Sequence, residues 1–389
     1  MSIKLQRDIW SADRCSGCGV CVAVCSKCVL KWNGKQHPTF ETREKKIGLT
    51  QIPLKTCEVC EKFCELCCPR LVNWIPMGEE SVISVHSAGV QVSNRPNDVI
   101  RSLLIAAMSS DLIDGVVMAD MDPWTLEPFT RVATSVDEIA NALGTQYLWT
   151  PVLSELNKAI FDLDLTRLAI VGMPCVAEGV RQLIAANSAR LRPYQERLRF
   201  VISTFCTGVY LHEPLYEFLE DGLGVSKRHI QELRVSPTKD EMIISSWDGS
   251  ERSVNRADVD DATRLGCGRC IDFLGDQADL SLGLAGASEG FATLIVRSHA
   301  GKKLLGNALQ LGLIETGGQV DEQVLRQARE QKNLRTRAQS LDELRVLSLD
   351  ALGDPKKRNV VRKQFVRLYG THKGKAVNRE REYVSCGEC

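Results

Sequence analysis

The chain has 389 residues, of which 44% are hydrophobic and 25% are charged, with 29 glycines, 13 prolines and 16 cysteines. This composition is typical of a soluble globular protein and excludes the collagen-like and intrinsically disordered classes. Lysine plus arginine and aspartate plus glutamate both number 49, so no global field would recruit nucleic acid or an anionic membrane.

The length predicts two or three domains that are large enough to bury a core without disulfides. The first fourteen residues lack the apolar core of a signal peptide, and no stretch approaches the ~18 apolar residues of a membrane span. We therefore expect a cytoplasmic protein without a membrane span of its own, either free or held at a membrane complex through a partner. In a reducing compartment, clustered thiols are more often metal ligands or redox centres than disulfides.

Two runs of cysteines near the N-terminus have the spacing of iron–sulfur ligands. The first is C-x2-C-x2-C-x3-C, typical of a bacterial [4Fe-4S] ferredoxin, and the second is C-x2-C-x3-C-x3-C-P, with one extra residue. In two-cluster ferredoxins the fourth cysteine of each run binds the other cluster. The predicted ligands of one cluster, the first cysteine set, are Cys15, Cys18, Cys21 and Cys68. Those of the other, the second cysteine set, are Cys57, Cys60, Cys64 and Cys25.

Alternatives remain open for residues 1–80, which we predict to be a two-cluster ferredoxin-like domain. The inserted residue makes Cys67 a competing ligand in the second run. C-x2-C pairs also build tetrahedral zinc sites, although three or four cysteines in one tight run are more typical of a cubane cluster. A disulfide framework is the least expected of these possibilities.

Apolar runs of strand length alternate with amphipathic stretches of helix length from about residue 80 to residue 315. Leu168–Gly172 illustrates the strands, and Asp98–Ser110 and Val152–Asp162 illustrate the helices. This alternation predicts an α/β domain over residues 81–318, built on a mixed or parallel sheet.

Four more cysteines are expected to converge in this domain. Cys175 and Cys206 each follow a predicted strand, and loops at the carboxyl ends of parallel strands line the ligand crevice. Each thiol alone would more often be an ordinary buried side chain. The nearby C-x2-C pair favours a third [4Fe-4S] cluster. Its predicted ligands, the third cysteine set, are Cys175, Cys206, Cys267 and Cys270.

Six motifs in the middle of the chain carry a resemblance to a known family. They are Gly144-Thr-Gln-Tyr147, Val171-Gly-Met-Pro-Cys175, Phe205-Cys-Thr-Gly208, Cys267-Gly-Arg-Cys270-Ile-Asp-Phe273, Ala278-Asp-Leu-Ser-Leu-Gly283 and Glu289-Gly-Phe-Ala-Thr-Leu-Ile-Val-Arg297. With them the chain resembles the beta subunit of coenzyme F420 hydrogenase and dehydrogenase. The resemblance implies a non-covalent FAD, a nearby [4Fe-4S] cluster and, in many members, hydride exchange with coenzyme F420. Other members reduce chlorophyll precursors with ferredoxin.

The resemblance also supplies candidate flavin contacts. Glycines would let the backbone lie close to a bulky ligand, an aromatic ring would flank the flavin, and Arg297 would bind a phosphate or a flavin carbonyl. The candidates are Gly144, Thr145, Gln146, Tyr147, Pro174, Gly283, Gly286, Gly290, Phe291, Thr293 and Arg297. Simple turns would also explain the glycines. Gly286-x-Ser288-x-Gly290 matches a hydrolase nucleophile elbow, but a strand instead of a helix is predicted to follow it.

Two departures from the family pattern concern the flavin. Asn94–Asp98 stands where members usually have Gly-Gly, and Phe291 stands where a tryptophan is usual. Without those glycines the backbone would approach a flavin less closely. A flavin-free chain therefore remains one of the expectations.

We expect an electron-transfer oxidoreductase subunit with three or four [4Fe-4S] clusters and FAD. It would exchange hydride with coenzyme F420 and relay single electrons to or from a partner complex. The chemistry would take place at FAD, so no side chain is given a catalytic role. One alternative is a ferredoxin-dependent reductase of a chlorophyll-type substrate, and another is an electron-wiring subunit that has lost the flavin. No dinucleotide or phosphate-loop motif is present.

Residues 319–389 are predicted to form a charged helical tail. From residue 351 onward, Lys plus Arg number 10 and Asp plus Glu number 4, a local net charge of about +6. Its leucines would dock on a partner or pack on the tail's own domain. Four cysteines lie outside the three sets, the number that a fourth cubane needs, and they are Cys28, Cys67, Cys386 and Cys389.

Overall fold

A computed structural model describes most of the chain. It covers residues 4–32, 36–40, 44–47, 50–53, 60–72, 77–78, 81–88, 93, 95–144, 147–236, 239 and 241–351, with the backbone alone for 44–47, 50–53 and 337–351. Residues 1–332 form one compact unit and residues 333–389 a second.

The elements alternate along the chain as the sequence predicts. The helices are α1 (Val20–Ala23), α2 (Phe63–Leu66), α3 (Pro96–Ser109), α4 (Val136–Ala140), α5 (Pro174–Ala185), α6 (Arg192–Gln195), α7 (His212–Glu217), α8 (His299–Gln310) and α9 (Glu322–Ala351). The strands are β1 (Leu30–Lys31), β2 (Thr39–Phe40), β3 (Glu44–Ile47), β4 (Thr50–Pro53), β5 (Ser81–Ser87), β6 (Gly115–Met121), β7 (Pro128–Ala133), β8 (Leu168–Gly172), β9 (Leu198–Thr204), β10 (Ile230–Val235), β11 (Glu241–Ser246), β12 (Glu251–Asn255), β13 (Leu280–Gly283), β14 (Ala292–Val296) and β15 (Ile314–Thr316).

Short irregular turns complete the chain. They are 3-10 turns at Val152–Glu155, Ala189–Leu191, Lys227–His229, Arg256–Ala262 and Leu265–Arg269, and π-helical turns at Leu5–Trp10, Lys158–Asp162 and Phe218–Gly222. The helical pattern predicted over residues 152–162 is thus divided between a 3-10 turn and a π turn.

An eight-stranded mixed sheet organises the first unit. Its strand order is β15-β5-β14-β13-β9-β8-β6-β7. The four central strands β13, β9, β8 and β6 are parallel, and the outer pairings are antiparallel. A separate antiparallel sheet has the order β10-β11-β12. The predicted α/β class with a mixed sheet is confirmed.

Both faces of the large sheet are covered, which explains why its central strands are nearly continuous apolar runs. On one face lie α3 and α8, with Leu104 and Leu304 fully buried. On the other face, Val20 of α1 and Phe63 of α2 join Val180 of α5 in one hydrophobic core. The N-terminal region therefore shares a core with the sheet, and the compact units divide after Lys332. The predicted domain bounds at residues 80 and 318 stay predictions.

The carboxyl ends of β6, β8, β9 and β13 meet at one edge of the sheet, as parallel strands require. Pro174 occupies the first turn of α5 directly after β8, where its missing N–H costs no hydrogen bond. Of the helices within the described residues, none is long and apolar enough to cross a membrane.

Candidate redox site

The first cysteine set surrounds a single cavity. The residues that line it include all four members, Cys15, Cys18, Cys21 and Cys68. Burial raises the pKa of the Cys21 thiol well above its usual range, and the neighbouring thiols of the set raise it further. The structure thus brings together four thiols that sequence spacing grouped across more than fifty residues.

The loop that carries this set is pressed against the sheet domain. Gly17 and Gly19 have φ angles of +76° and +92°, which glycine adopts most readily. A Cβ atom on Gly19 would lie 2.6 Å from the backbone nitrogen of Ser154. The backbone N–H of Leu153 donates to the carbonyl of Cys18 at 2.9 Å. The loop therefore tolerates no larger residue at Gly19.

The described members of the second cysteine set line a neighbouring cavity. Cys25, Cys60 and Cys64 all contribute to it, whereas Cys57 lies outside the described residues. The cavity encloses about 340 Å³ of empty space, part of it open to solvent. Cys25 and Cys60 are half-buried. This set is therefore closer to the surface than the first.

Cys67 is placed differently from its neighbours Cys64 and Cys68. Its side chain is fully buried and packs in the hydrophobic core beside α1 and α5. Burial raises the pKa of its thiol to about 12. Both cavities are lined by other cysteines, so the geometry favours Cys64 and Cys68 as ligands over Cys67.

The third cysteine set gathers at the carboxyl edge of the sheet. Cys175 begins α5 after β8, Cys206 follows β9, Cys267 lies within the Leu265–Arg269 turn and Cys270 directly after it. Burial raises the pKa of Cys206 to about 11, and the thiols of Cys267 and Cys270 act in the same direction. These three thiols are therefore electrostatic neighbours, and the thiol of Cys206 in turn raises the pKa of Cys175.

The first and third cysteine sets adjoin each other. The Sγ atom of Cys175 lies 3.8 Å from the carbonyl oxygen of Ser16. A Cβ atom on Gly266 would lie 2.0 Å from the carbonyl oxygen of Cys15. After burial, the thiol of Cys18 is the largest influence that raises the pKa of Cys175. The two loops thus pack backbone against backbone.

Arg264 fixes this packing, and sequence reasoning missed it. Its fully buried guanidinium lies 4.0 Å from the ring centroid of Trp149 and donates to the carbonyl of Gln36 at 2.5 Å. The indole N–H of Trp149 donates to the carbonyl of Gly17 at 3.0 Å. Burial lowers the pKa of Arg264. These contacts join segments that are distant in sequence. The only local signal for them is that Arg264 lies three residues before Cys267.

Two further buried cations flank the third cysteine set. Arg70 forms an ion pair with Glu178 at 3.0 Å, and burial raises the pKa of that carboxyl to about 7 although Arg70 opposes the shift. On another side, the Nζ atom of Lys332 donates to the carbonyls of Cys206 and Asp272, both at 2.6 Å. The third cysteine set therefore lies beside two cations, Arg70 and Lys332, and one acidic side chain, Glu178.

The donor chemistry at these positions fits iron–sulfur clusters. Backbone N–H groups donate to the thiols of Cys15, Cys18, Cys68, Cys206 and Cys267 and lower their pKa values against the effect of burial. Such N–H donors stabilise the thiolates of a cluster. Across the described residues, no group of three or more His, Cys, Asp or Glu side chains is placed to hold a metal ion. The ligand assignments and the number of clusters stay predictions.

Some predicted flavin contacts lie near the third cysteine set. Tyr147 has a φ angle of +70°, and burial raises the pKa of its phenol, to which the Cys206 thiol also contributes. Gly144 donates its N–H to the Asp120 carboxylate at 3.2 Å and lies against Asn97 at the start of α3. Gly144 is therefore a neighbour of Asn97, which belongs to the segment that replaces the Gly-Gly usual in the family. Thr145 and Gln146 lie outside the described residues.

The other predicted contacts are occupied by the protein itself. A Cβ atom on Gly283 would meet the ring of Phe205, and one on Gly286 would meet the carbonyl of Asp321. Thr293 donates to the carbonyl of Ala285 at 2.8 Å. All three residues have neighbours within the protein, and their role as flavin contacts stays a prediction.

Three more predicted contacts lie close by. Arg297 is buried, bonds to Ser281 and to the carbonyl of Leu274, and pairs with Asp276 at 3.5 Å. Phe291 packs edge-on against His86, and only Gly290 faces open space. The flavin contacts predicted at Gly290, Phe291 and Arg297 stay predictions.

Comparisons with known proteins agree with the fold and with the cysteine-rich edge. The family models for the coenzyme F420 hydrogenase/dehydrogenase beta subunit match residues 99–157 with their N-terminal part and residues 165–322 with their C-terminal part. An uncharacterized protein of Methanocaldococcus jannaschii is 28% identical over 353 residues, covering 86% of this chain and 97% of that protein.

Two further similarities concern characterised systems. One subunit of the F(420)H(2) dehydrogenase of Methanosarcina mazei is 27% identical over 301 residues, covering 75% of this chain and 81% of that protein. A chain in the solved F420-reducing [NiFe] hydrogenase complex from Methanosarcina barkeri has the same fold, with a TM-score of 0.63 at 21% identity. That similarity covers 70% of this chain and 94% of the other.

The family matches together cover more than half of the chain, and they include the whole third cysteine set. The protein is an oxidoreductase of the electron-transfer class. It belongs to the family of coenzyme F420 hydrogenase/dehydrogenase beta subunits, as the sequence motifs predict.

Proposed function

We propose that the protein exchanges hydride with coenzyme F420 at a bound FAD and relays single electrons through three [4Fe-4S] clusters to or from a partner complex. The observation that carries the proposal is the serial contact of the three cysteine sets. The Sγ atom of Cys175 lies 3.8 Å from the carbonyl oxygen of Ser16 in the loop of the first set, and Cys21 packs in one hydrophobic cluster with Cys64 of the second.

The cysteine sets would hold one cluster each. FAD, when bound, supplies the conversion between a two-electron hydride and single electrons. Tyr147, which interacts electrostatically with the Cys206 thiol, and the nearby Gly144 are candidates to contact it. Cys206 and Cys270 are buried at this end of the series, and Cys175 and Cys267 are half-buried.

The second cysteine set is the proposed exit or entry point for electrons. It has half-buried members and a cavity that is partly open to solvent. A partner redox protein could approach it without displacing the sheet domain. The names of the relatives, which are subunits of a hydrogenase or of a dehydrogenase, support a partner complex.

A flavin-free electron-wiring subunit is the second candidate function. The observation that favours it is the engagement of Gly283, Gly286 and Arg297 in contacts within the protein. Flavin content distinguishes the two functions directly.

The test is quantification of iron, sulfide, zinc and flavin on protein purified without oxygen, followed by addition of reduced coenzyme F420. At four irons per cubane, about twelve irons and one FAD per chain would support the proposal, and about sixteen would indicate a fourth cluster. Bleaching of the flavin by reduced coenzyme F420 would establish the substrate. Iron without flavin would favour the wiring subunit, and zinc in place of iron would exclude the redox function.

A Cys270→Ser variant tests the third cysteine set. We expect it to lose about four irons and to transfer electrons from flavin to an artificial acceptor more slowly, because the thiolate is missing. Cys28→Ser, which changes an exposed thiol outside the three sets, is the matched control. Unchanged iron in Cys270→Ser would contradict the assignment.

A further inference from the structure

Helix α9 extends from the family domain and returns to the third cysteine set. The family match ends at residue 322, where α9 begins. Leu325 and Ala328 on its first turns pack in the hydrophobic cluster of Phe273 and Leu274. The spacing of Leu325, Ala328 and Lys332 places them on one face of the helix.

This face ends in a buried lysine. Only 7% of the surface of Lys332 is exposed. Its ammonium donates to the carbonyls of Cys206 and Asp272, each at 2.6 Å. Those carbonyls belong to the two loops that carry Cys206 and Cys270, so one side chain joins both loops.

Neighbouring ion pairs fix the start of the helix beside the cysteine set. Arg329, one turn earlier on α9, pairs with Asp276 at 2.5 Å, and Arg297 approaches the other oxygen of that carboxylate. The carboxylate of Asp272 accepts backbone N–H groups of Gly275 and Asp276. Glu178 is paired with Arg70. These acids thus have hydrogen-bond or ion-pair partners of their own, and the charge of Lys332 acts on Asp272 and Glu178 as well as on the thiols of Cys206, Cys267 and Cys270.

A [4Fe-4S] cluster with four thiolate ligands is an anion that gains negative charge on reduction. The net charge around a cluster is one of the factors that set its reduction potential. A buried cation stabilises the reduced form more than the oxidised form, because Coulomb interactions are strong where water is excluded.

We propose that Lys332 is a positioning residue which, from outside the family domain, joins the two loops of the third cysteine set and raises the reduction potential of its cluster. The inference rests on the proposed function, because it requires a cluster at that set. Electron flow between flavin and the first cysteine set would then depend on the start of α9.

The test uses three full-length variants purified without oxygen. Lys332→Gln removes the charge and keeps an amide donor for the carbonyls, whereas Lys332→Arg keeps the charge. Lys303→Gln, at an exposed lysine on α8, is the control for a lost surface charge. Iron is quantified, and each cluster's midpoint potential is measured by redox titration with electron paramagnetic resonance.

We expect one cluster signal of Lys332→Gln to shift to a more negative midpoint potential, with the signals of the other clusters unchanged. Lys332→Arg should restore most of the shift, and Lys303→Gln should have no effect. Loss of that cluster in Lys332→Gln but not in Lys332→Arg would also support the inference, since charge would then be needed to retain it.

Two results would overturn the inference. Equal loss of the cluster in both Lys332 variants would show a packing role only, and an intact cluster with an unchanged potential would show no electrostatic role. In either case the proposed function would stand. If the wild-type protein lacked a cluster that Cys270→Ser removes, the proposed function itself would fail, and the inference with it.

Discussion

Gly19 joins the loop of the first cysteine set to the sheet domain at a distance that allows no side chain. With a φ angle of +92°, its backbone lies where a Cβ atom would be 2.6 Å from the nitrogen of Ser154 and 2.7 Å from the carbonyl of Pro151. Two costs would therefore add in any substitution. One is the strain of a left-handed backbone, and the other is a clash with backbone atoms that cannot rotate away.

We expect Gly19→Ala to lower the free energy of unfolding by more than the roughly 1–2 kcal/mol that left-handed strain alone costs. Gly224→Ala is the matched control, because Gly224 has a φ angle of +65° and a Cβ atom added there would have no atom within 4 Å. Chemical denaturation of both variants measures the difference, and iron content shows whether the first cluster is retained. Equal losses of stability in both would rule out the clash.

Helix α8 contains two glycines that differ in the space available for a side chain. A Cβ atom on Gly301 would lie 2.5 Å from the carbonyl oxygen of Asp279, so the helix packs closely on the strand edge there. At Gly306 the space is open. Since glycine in a helix interior is less favourable than alanine by roughly 1 kcal/mol, the two positions should respond in opposite directions.

Gly306→Ala is accordingly expected to stabilise the protein by roughly 0.5–1 kcal/mol, and Gly301→Ala to destabilise it. Urea midpoints of the two variants, with unchanged slopes, are the measurement. Stabilisation of Gly301→Ala would mean that α8 moves freely away from Asp279, contrary to the packing seen.

The features that could be predicted from the sequence are those that depend on local patterns. The cysteine spacing alone grouped Cys15, Cys18, Cys21 and Cys68, because ligand runs around a cubane have few possible spacings. The rule for strand ends likewise placed Cys175 and Cys206 at one edge. Both kinds of signal are contained within a few residues or follow from the order of strands.

What the sequence could not provide depends on contacts between distant segments. Arg264 stacks on Trp149 and reaches Gln36, and Lys332 reaches Cys206. The one local signal is that Arg264 lies three residues before Cys267, and Lys332 has none. The motif that makes Arg297 a candidate flavin contact does not reveal its bonds to Ser281 and to the carbonyl of Leu274. A residue's partner in such cases is decided by tertiary packing, which one sequence does not display.

Across the whole molecule, the three cysteine sets form a path from the sheet edge to the surface. The third set lies at the carboxyl ends of the central strands, the first set packs against it, and the second has half-buried members. In the proposed relay, electrons pass between the third set and the second through the first. The middle position should therefore control the rate of transfer along the whole path.

Cys21→Ser tests that consequence, because Cys21 belongs to the first set and packs in one hydrophobic cluster with Cys64 and Cys25 of the second. Loss of the middle cluster should leave reduction of the flavin and of the third cluster by reduced coenzyme F420 unchanged. Reduction of the second cluster should slow by roughly tenfold or more, which corresponds to about 1.4 kcal/mol or more of added barrier. Rapid freeze-quench paramagnetic resonance resolves the two clusters in time, with Cys28→Ser as the control. If the second cluster were reduced at the wild-type rate without the middle cluster, the electrons would have to enter by another route, and the serial order would be wrong.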